Sequence, residues 1–154
     1  MSMYGETPKL DKLIKLMRHI ENVKSNALLI AEKIWAEKPD MARQLIANAY
    51  IHDNSKFYGI EWEALVVGDD KLLEKAIAQH HENNPHHPEY YQSICEMPEV
   101  YLIECVCDWK ARSEEFGTDM KSWLDKICEK YDIGKSSKTF KLIKKYAEML
   151  VEHW

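Results

Sequence analysis

The chain has 154 residues, a length that fits one domain built around one core. Its 45% hydrophobic and 31% charged fractions exclude a disordered or low-complexity chain, and four cysteines without a C-x-x-C pair exclude a disulfide-stapled miniature. With 21 basic against 26 acidic residues, a formal net charge of -5, bulk nucleic acid is not the expected partner.

Glycine and proline are scarce, five of each, and they fall where helices should break. Leu10, Leu13, Ile14, Met17, Ile20, Val23, Ala27, Ile30 and Ile34 recur at three-four spacing, which predicts a long first helix from about Leu10 to Trp35. Pro39-Asp40 is a cap and stop signal before a second helix, Met41 to His52. Asn54 to Gly59 reads as a loop and Ile60 to Val66 as a short helical turn. Gly68-Asp69-Asp70 then caps a third helix from Lys71 to about Glu82. Asn83-Asn84-Pro85 stops that helix, because the residue before proline is pushed out of the helical region. Pro85 to Met97 is expected to be an ordered loop. Pro98 suits the first position of a fourth helix, Glu99 to Phe116, closed by Gly117. Thr118 or Asp119 starts a fifth helix that ends near Ile133-Gly134, and Ser136 or Ser137 caps a sixth running toward Trp154. No useful length alternates with strand period, so the predicted class is all-α, about six helices in a single domain, 1–154.

No apolar run approaches the roughly 20 residues of a bilayer span. The start, Met-Ser-Met-Tyr-Gly-Glu, lacks the basic and then apolar order of a signal peptide. A cytoplasmic protein without membrane contact is expected. Cys95, Cys105, Cys107 and Cys128 read as reduced core thiols. Lys138, Lys141, Lys144 and Lys145 read as a solvated face, and Trp123, Phe140 and Trp154 as core residues or contacts of a homodimer.

Seven histidines are present, and five of them (His52, His80, His81, His86 and His87) crowd the middle of the chain. The first helix carries His19, the second ends in His52-Asp53, the third in His80-His81-Glu82, and the fourth bears Glu104 and Asp108 one turn apart. Imidazoles and carboxylates delivered by separate helices suit one or two divalent ions: Mn, Fe, Co, Ni or Zn, with Mg as the oxygen-preferring alternative. Taken singly, each has a plain structural reading. His19 can be a satisfied core histidine, Asp108 a buried carboxylate bonded to a helix cap, and His80-His81 a helix end favoured by the macrodipole. Taken together, they would be unrelated buried polar groups, each needing its own partner.

His19, His52-Asp53 and Asp108 in successive helical segments resemble the H…HD…D pattern of the HD superfamily of metal-dependent phosphohydrolases, over roughly Leu10 to Phe116. His52-Asp53-Asn54-Ser55-Lys56 is similar to the HD-x-x-K motif of HD-GYP-type phosphodiesterases, and His80-His81-Glu82 is similar to their HHE motif. The stretch Asn83 to Tyr90 departs from their G-x-G-Y-P segment, so cyclic-dinucleotide specificity is not implied. The His86-His87-Pro88-Glu89-Tyr90 string resembles a small uncharacterised HD-like family of bacteria and phages.

The resemblance implies an HD-like core, about 10–116, followed by C-terminal helices, 118–152. It implies one ion at His19, His52, Asp53 and Asp108, with Asp53 bridging to a second ion held by His80 and His81. Lys56 would neutralise phosphate charge. Arg112, one turn beyond Asp108, reads either as a phosphate clamp or as an ion-pair partner of Asp108 or Glu115. Glu61, Glu82 or Glu104 would supply a carboxylate for proton transfer. His86 and His87, stiffened by Pro85 and Pro88, read as ligands, as donors that orient a carboxylate, or as packed imidazoles on backbone carbonyls. The implied activity is hydrolysis of a small phosphorylated substrate, a nucleotide or another phosphate ester. Two other readings use the same residues: an HD-type di-iron oxygenase, and a non-catalytic interaction module stapled by metal.

Overall fold

The buried residues of the first helix, Leu16, Ile20, Val23, Ala27, Ile30 and Ile34, step by three and four, so one stripe faces the core along its length. The computed structural model describes residues 7–154. The start of the chain, on which the signal-peptide expectation rests, lies outside the described residues. Among those described there are seven α-helices and no strand: α1 (Thr7–Ile34), α2 (Pro39–Tyr50), α3 (Gly59–Val67), α4 (Asp70–Asn83), α5 (Glu99–Glu115), α6 (Met120–Lys130) and α7 (Lys138–Glu148). Short 3-10 turns occupy Asn54–Phe57, Pro88–Tyr90 and Ile94–Glu96. The protein is an all-α bundle, and no described helix is long and apolar enough to cross a membrane.

Helix α5 is the axis of the bundle. It packs against α1, α2, α6 and α7, and every residue from Leu102 to Trp109 is buried, as expected of a helix covered on all sides. Ile30, Leu45, Leu102, Ile103, Leu124 and Ile143 are almost wholly inaccessible. Each such side chain contributes about 1.5–3 kcal/mol by leaving water. Two polar residues share the buried stripe of α1. Asn26 donates to the Cys107 carbonyl at 3.0 Å, so it is satisfied, while His19 faces the carboxylates of the site described below.

Several boundaries differ from the sequence expectation, each for a local reason. The Ile60–Val66 stretch is a full helix, α3, because it packs on α4 and Gly68, at φ 72°, closes it in the left-handed region that glycine adopts freely. Pro98 is the residue before α5, not its first. Helix α6 ends at Lys130, just before Asp132 turns left-handed at φ 52°, and α7 ends at Glu148. Of the alternative caps, Asp119 and Ser137 are used, accepting from the Ser122 and Phe140 N–H groups at 2.9 and 3.1 Å. Leu10, Ile14 and Met17, expected on the buried stripe, are exposed: the inner face of α1 begins at Leu16, and Met17, the next residue, points about 100° away from it. Cys105 and Cys107 are buried thiols, whereas Cys95 is exposed. Phe140 and Trp123 pack on the edge of the core, and Trp154 is exposed.

Candidate metal centre

Five segments bring the polar residues together. His19 comes from the middle of α1, His52 and Asp53 from the turn after α2, His80 from the last turn of α4, His86 from the following loop, and Asp108 from the middle of α5. All six are buried. Asp53 holds a left-handed backbone, φ 55° and ψ 18°, a conformation that Asp tolerates better than most side chains. Its two carboxylate oxygens then serve two sides of the cluster.

On one side, Asp53 Oδ2 lies 3.6 Å from His19 Nε2 and 3.5 Å from His52 Nε2. Asp108 lies 3.0 Å from His19 Nε2 through Oδ1 and 3.6 Å from His52 Nε2 through Oδ2. On the other side, Asp53 Oδ1 lies 3.1 Å from His80 Nε2 and 3.3 Å from His86 Nε2, with His87 alongside. Donors about 2.1 Å from a shared ion stand about 3.0 Å apart along an octahedral edge and about 3.4 Å along a tetrahedral one. The observed separations match those edges.

Satisfaction of the polar groups tells the same story. Among the described residues, ten buried side-chain nitrogen or oxygen atoms lack a hydrogen-bond partner, and eight of them are here: both Asp53 oxygens, Asp108 Oδ1, and Nε2 of His19, His52, His80, His86 and His87. Buried polar groups normally find partners, so eight without one in a single cluster are donors that could hold a metal ion.

The outer faces of the imidazoles are fully engaged. His19 Nδ1 donates to Glu115 at 2.8 Å, His52 Nδ1 to Glu104 at 2.9 Å, His86 Nδ1 to the same Glu104 oxygen at 3.0 Å, and His80 Nδ1 to Glu61 at 2.5 Å. A carboxylate only accepts, so each Nδ1 must carry the proton, and in the neutral ring the Nε2 lone pair is aimed inward. Carboxylates behind ligating histidines do this in metal sites, fixing tautomer and orientation together. Asn84 steadies the end of α4 by donating to the His80 carbonyl at 2.7 Å.

The electrostatics call for positive charge. Asp53, Asp108, Glu104 and Glu61 are all buried, and the nearest ammonium is Lys56, 3.0 Å from Asp53 Oδ2. Burial alone would raise the Asp53 carboxyl, but His52, Lys56, His80 and His86 together hold it well below the usual carboxylate range. Asp108 is likewise lowered, burial being outweighed by His19 and His52. Burial disfavours the His86 cation, yet Asp53 and Glu104 override it and push the imidazole up to about 10. His87 goes the other way, to about 2, through burial and the neighbouring His86.

Not every expected residue arrives. His81 does not join His80: successive residues on a helix point about 100° apart, and His81 turns instead toward Glu89, at 3.9 Å, and the His87 ring. The next residue, Glu82, is exposed and takes no part in the cluster. Arg112 pairs with Glu115 at 3.1 Å, the ion-pair alternative to a phosphate clamp. Glu104 lies behind two histidines, its Oε2 accepting from Nδ1 of both His52 and His86. The place expected for His81 is taken by His86, which the two prolines hold against Asp53. Glu115 was visible in the sequence only as a partner for Arg112, although it follows Asp108 by seven residues and so shares its face of α5.

A cleft of about 360 Å³ opens beside the cluster between α3 and α4. Lys56, Glu61, His80, His81 and His87 line its inner end, apolar side chains of α3 and α4 form its walls, and Lys130 stands at the rim.

Fold and site together define an all-α helical bundle with buried His/Asp groups that could hold a metal ion. The chain belongs to DUF5662, a family of unknown function, whose family model matches residues 9–153. No curated protein and no solved structure matches it.

Proposed function

We propose that this protein is a metal-dependent phosphohydrolase of the HD type, acting on a small phosphate ester. The observation that carries the reading is the convergence of eight buried, unpartnered donor atoms, of whose residues His80 and His87 line a cleft that also presents an ammonium group, Lys56. The residues present fit two divalent ions. His19, His52, Asp53 and Asp108 would hold one, and Asp53, His80 and His86, with His87 at hand, would hold the other. A site so rich in imidazole favours Mn, Fe, Co, Ni or Zn over Mg.

Bound ions supply a lowered water pKa, toward about 7, and a Lewis acid for a phosphoryl oxygen. The chain supplies the rest. Glu61, Glu104 and Glu115 keep four imidazoles in the tautomer whose lone pair faces inward. Lys56, 20% exposed and directed at Asp53 from the cleft side, offsets phosphoryl charge as a compact cation. In the reaction a water oxygen bonds to phosphorus, the ester P–O bond breaks, and a proton from that water ends on the departing alcohol.

The test is elemental analysis of the purified protein followed by a screen of phosphate esters with Mn, Co, Ni and Mg. Hydrolysis should require metal and disappear in His52→Ala. A variant that retains both metal content and hydrolysis overturns the reading. Oxygen-dependent turnover by the iron-loaded protein, without phosphate release, replaces it with the oxygenase reading.

A further inference from the structure

The walls of the cleft speak to the alcohol part of the ester. On α4, Leu73, Ala76, Ile77 and His80 follow at i, i+3, i+4 and i+7 and so form one stripe. From Leu73 to His80 it runs about 10 Å along the helix axis and ends at the cluster. Across the cleft, α3 places Ala64 and Leu65 one turn beyond Glu61. Leu73 and Ile77 are 40% and 47% exposed, so this apolar strip is open to an incoming ligand.

What the cleft lacks is equally informative. Among the described residues that line it, none is Phe, Tyr or Trp, and none carries an amide or hydroxyl side chain. The imidazoles that line it, His80, His81 and His87, lie against one another at its inner end, so a nucleobase over the apolar walls would have no ring to stack on and would meet helix backbone groups that are already paired. Its edge would lose water without gaining partners. The second cation, Lys130, already lies 3.7 Å from Glu89 Oε1, an oxygen that also accepts from the Tyr131 hydroxyl at 2.5 Å. Both cations have a carboxylate partner, Lys56 in Asp53 and Lys130 in Glu89, and of the two only Lys56 stands beside the cluster, where one anionic group can be met.

Resting on the reading of the cluster as a phosphate-binding centre, we infer that the ligand is a phosphate monoester of a short aliphatic alcohol, not a nucleotide. Its phosphoryl end sits by Lys56 and its hydrocarbon lies along Leu65, Leu73 and Ile77.

Alkylphosphonates, which resist hydrolysis, test this by calorimetric titration of the metal-loaded full-length protein. Ethyl-, butyl- and hexylphosphonate and adenosine 5'-monophosphate are the probes. Affinity should rise about two- to fourfold per buried methylene, hexylphosphonate should bind at least tenfold more tightly than ethylphosphonate, and it should bind more tightly than the nucleotide. Ile77→Asn, at a position exposed enough to leave the fold intact, should cut the hexyl-to-ethyl ratio at least threefold. Equal affinities across chain lengths, tighter binding of the nucleotide, an unchanged ratio in Ile77→Asn, or no binding of any probe overturns the inference. A chain-length gradient without hydrolysis of the matching esters sinks the proposed activity and leaves the ligand class standing. Nucleotide hydrolysis without a gradient does the reverse.

Discussion

Two buried regions lie side by side on α5 and are built on opposite terms. Around Leu102, Ile103 and Val106 the helix packs on aliphatic side chains of α1, α2 and α7, and outside the polar cluster only Asn48 Nδ2 and Trp123 Nε1 are buried without a partner among the described residues. A turn away, Glu104 and Asp108 face imidazoles whose outer nitrogens are all bonded and whose inner nitrogens are not. The apolar side is stable as it stands. The polar side concentrates buried carboxylates, an arrangement that costs free energy unless positive charge offsets them. The contrast is between a region that folding alone accounts for and one whose buried groups could hold a metal ion.

The largest effect that would break the comparison comes from Asp53→Asn. Asn keeps the left-handed backbone at this position but removes the charge shared by both halves of the cluster. Phosphatase assays should show activity at background, and divalent metal should raise the melting temperature of the parent protein by binding the folded state and leave that of the variant unmoved.

Leu102→Ala attacks the other region. Denaturant titration should show a loss of about 2–5 kcal/mol, the cost of a core truncation with its cavity, with metal stoichiometry as in the parent protein. Equal damage to metal binding would mean that the regions are not separable.

Glu104→Gln sits between the two in effect. Removing the carboxylate behind His52 and His86 should weaken metal affinity about 10–100-fold, the usual consequence of losing such a partner, as read by competition with a chelator.

The smallest effect sharpens the apolar side. Glu99 accepts hydrogen bonds from the Tyr146 hydroxyl and from Lys38, the latter at 3.0 Å. Burial would raise its carboxyl, but Tyr146 and Lys38 lower it below the ordinary value of 4.5. A group lowered on folding stabilises the protein above its unfolded pKa, and the gain is lost as pH falls through the folded one. Glu99→Gln should therefore flatten the acid limb of the stability curve below about pH 4.5, measured by thermal unfolding at a series of pH values.

The helices were largely legible because Gly and Pro are few and placed at breaks, and the α1 and α5 patterns are strongly periodic. Helix α3 was underestimated, since its stability comes from α4 and not from its own short sequence. In the site, His19, His52, Asp53, His80 and Asp108 stood out because each interrupts or terminates an apolar pattern. The angular offset between successive helical residues separates His80 from His81 and Glu82, and that is readable in principle. The arrival of His86 is not, because it depends on the path of a proline-bounded loop. The carboxylates behind the imidazoles were hidden as ordinary surface or helix-face glutamates, for their partners are up to 96 residues away in sequence.

The most direct check is to strip the protein with chelator, titrate it with Mn or Zn, and count ions per chain by elemental analysis after gel filtration. Two ions per chain in the parent protein, and their loss in Asp53→Asn, is the expected result. A parent protein that retains no ion, or an Asp53→Asn variant that retains as many, would contradict the assignment of this cluster as a metal centre.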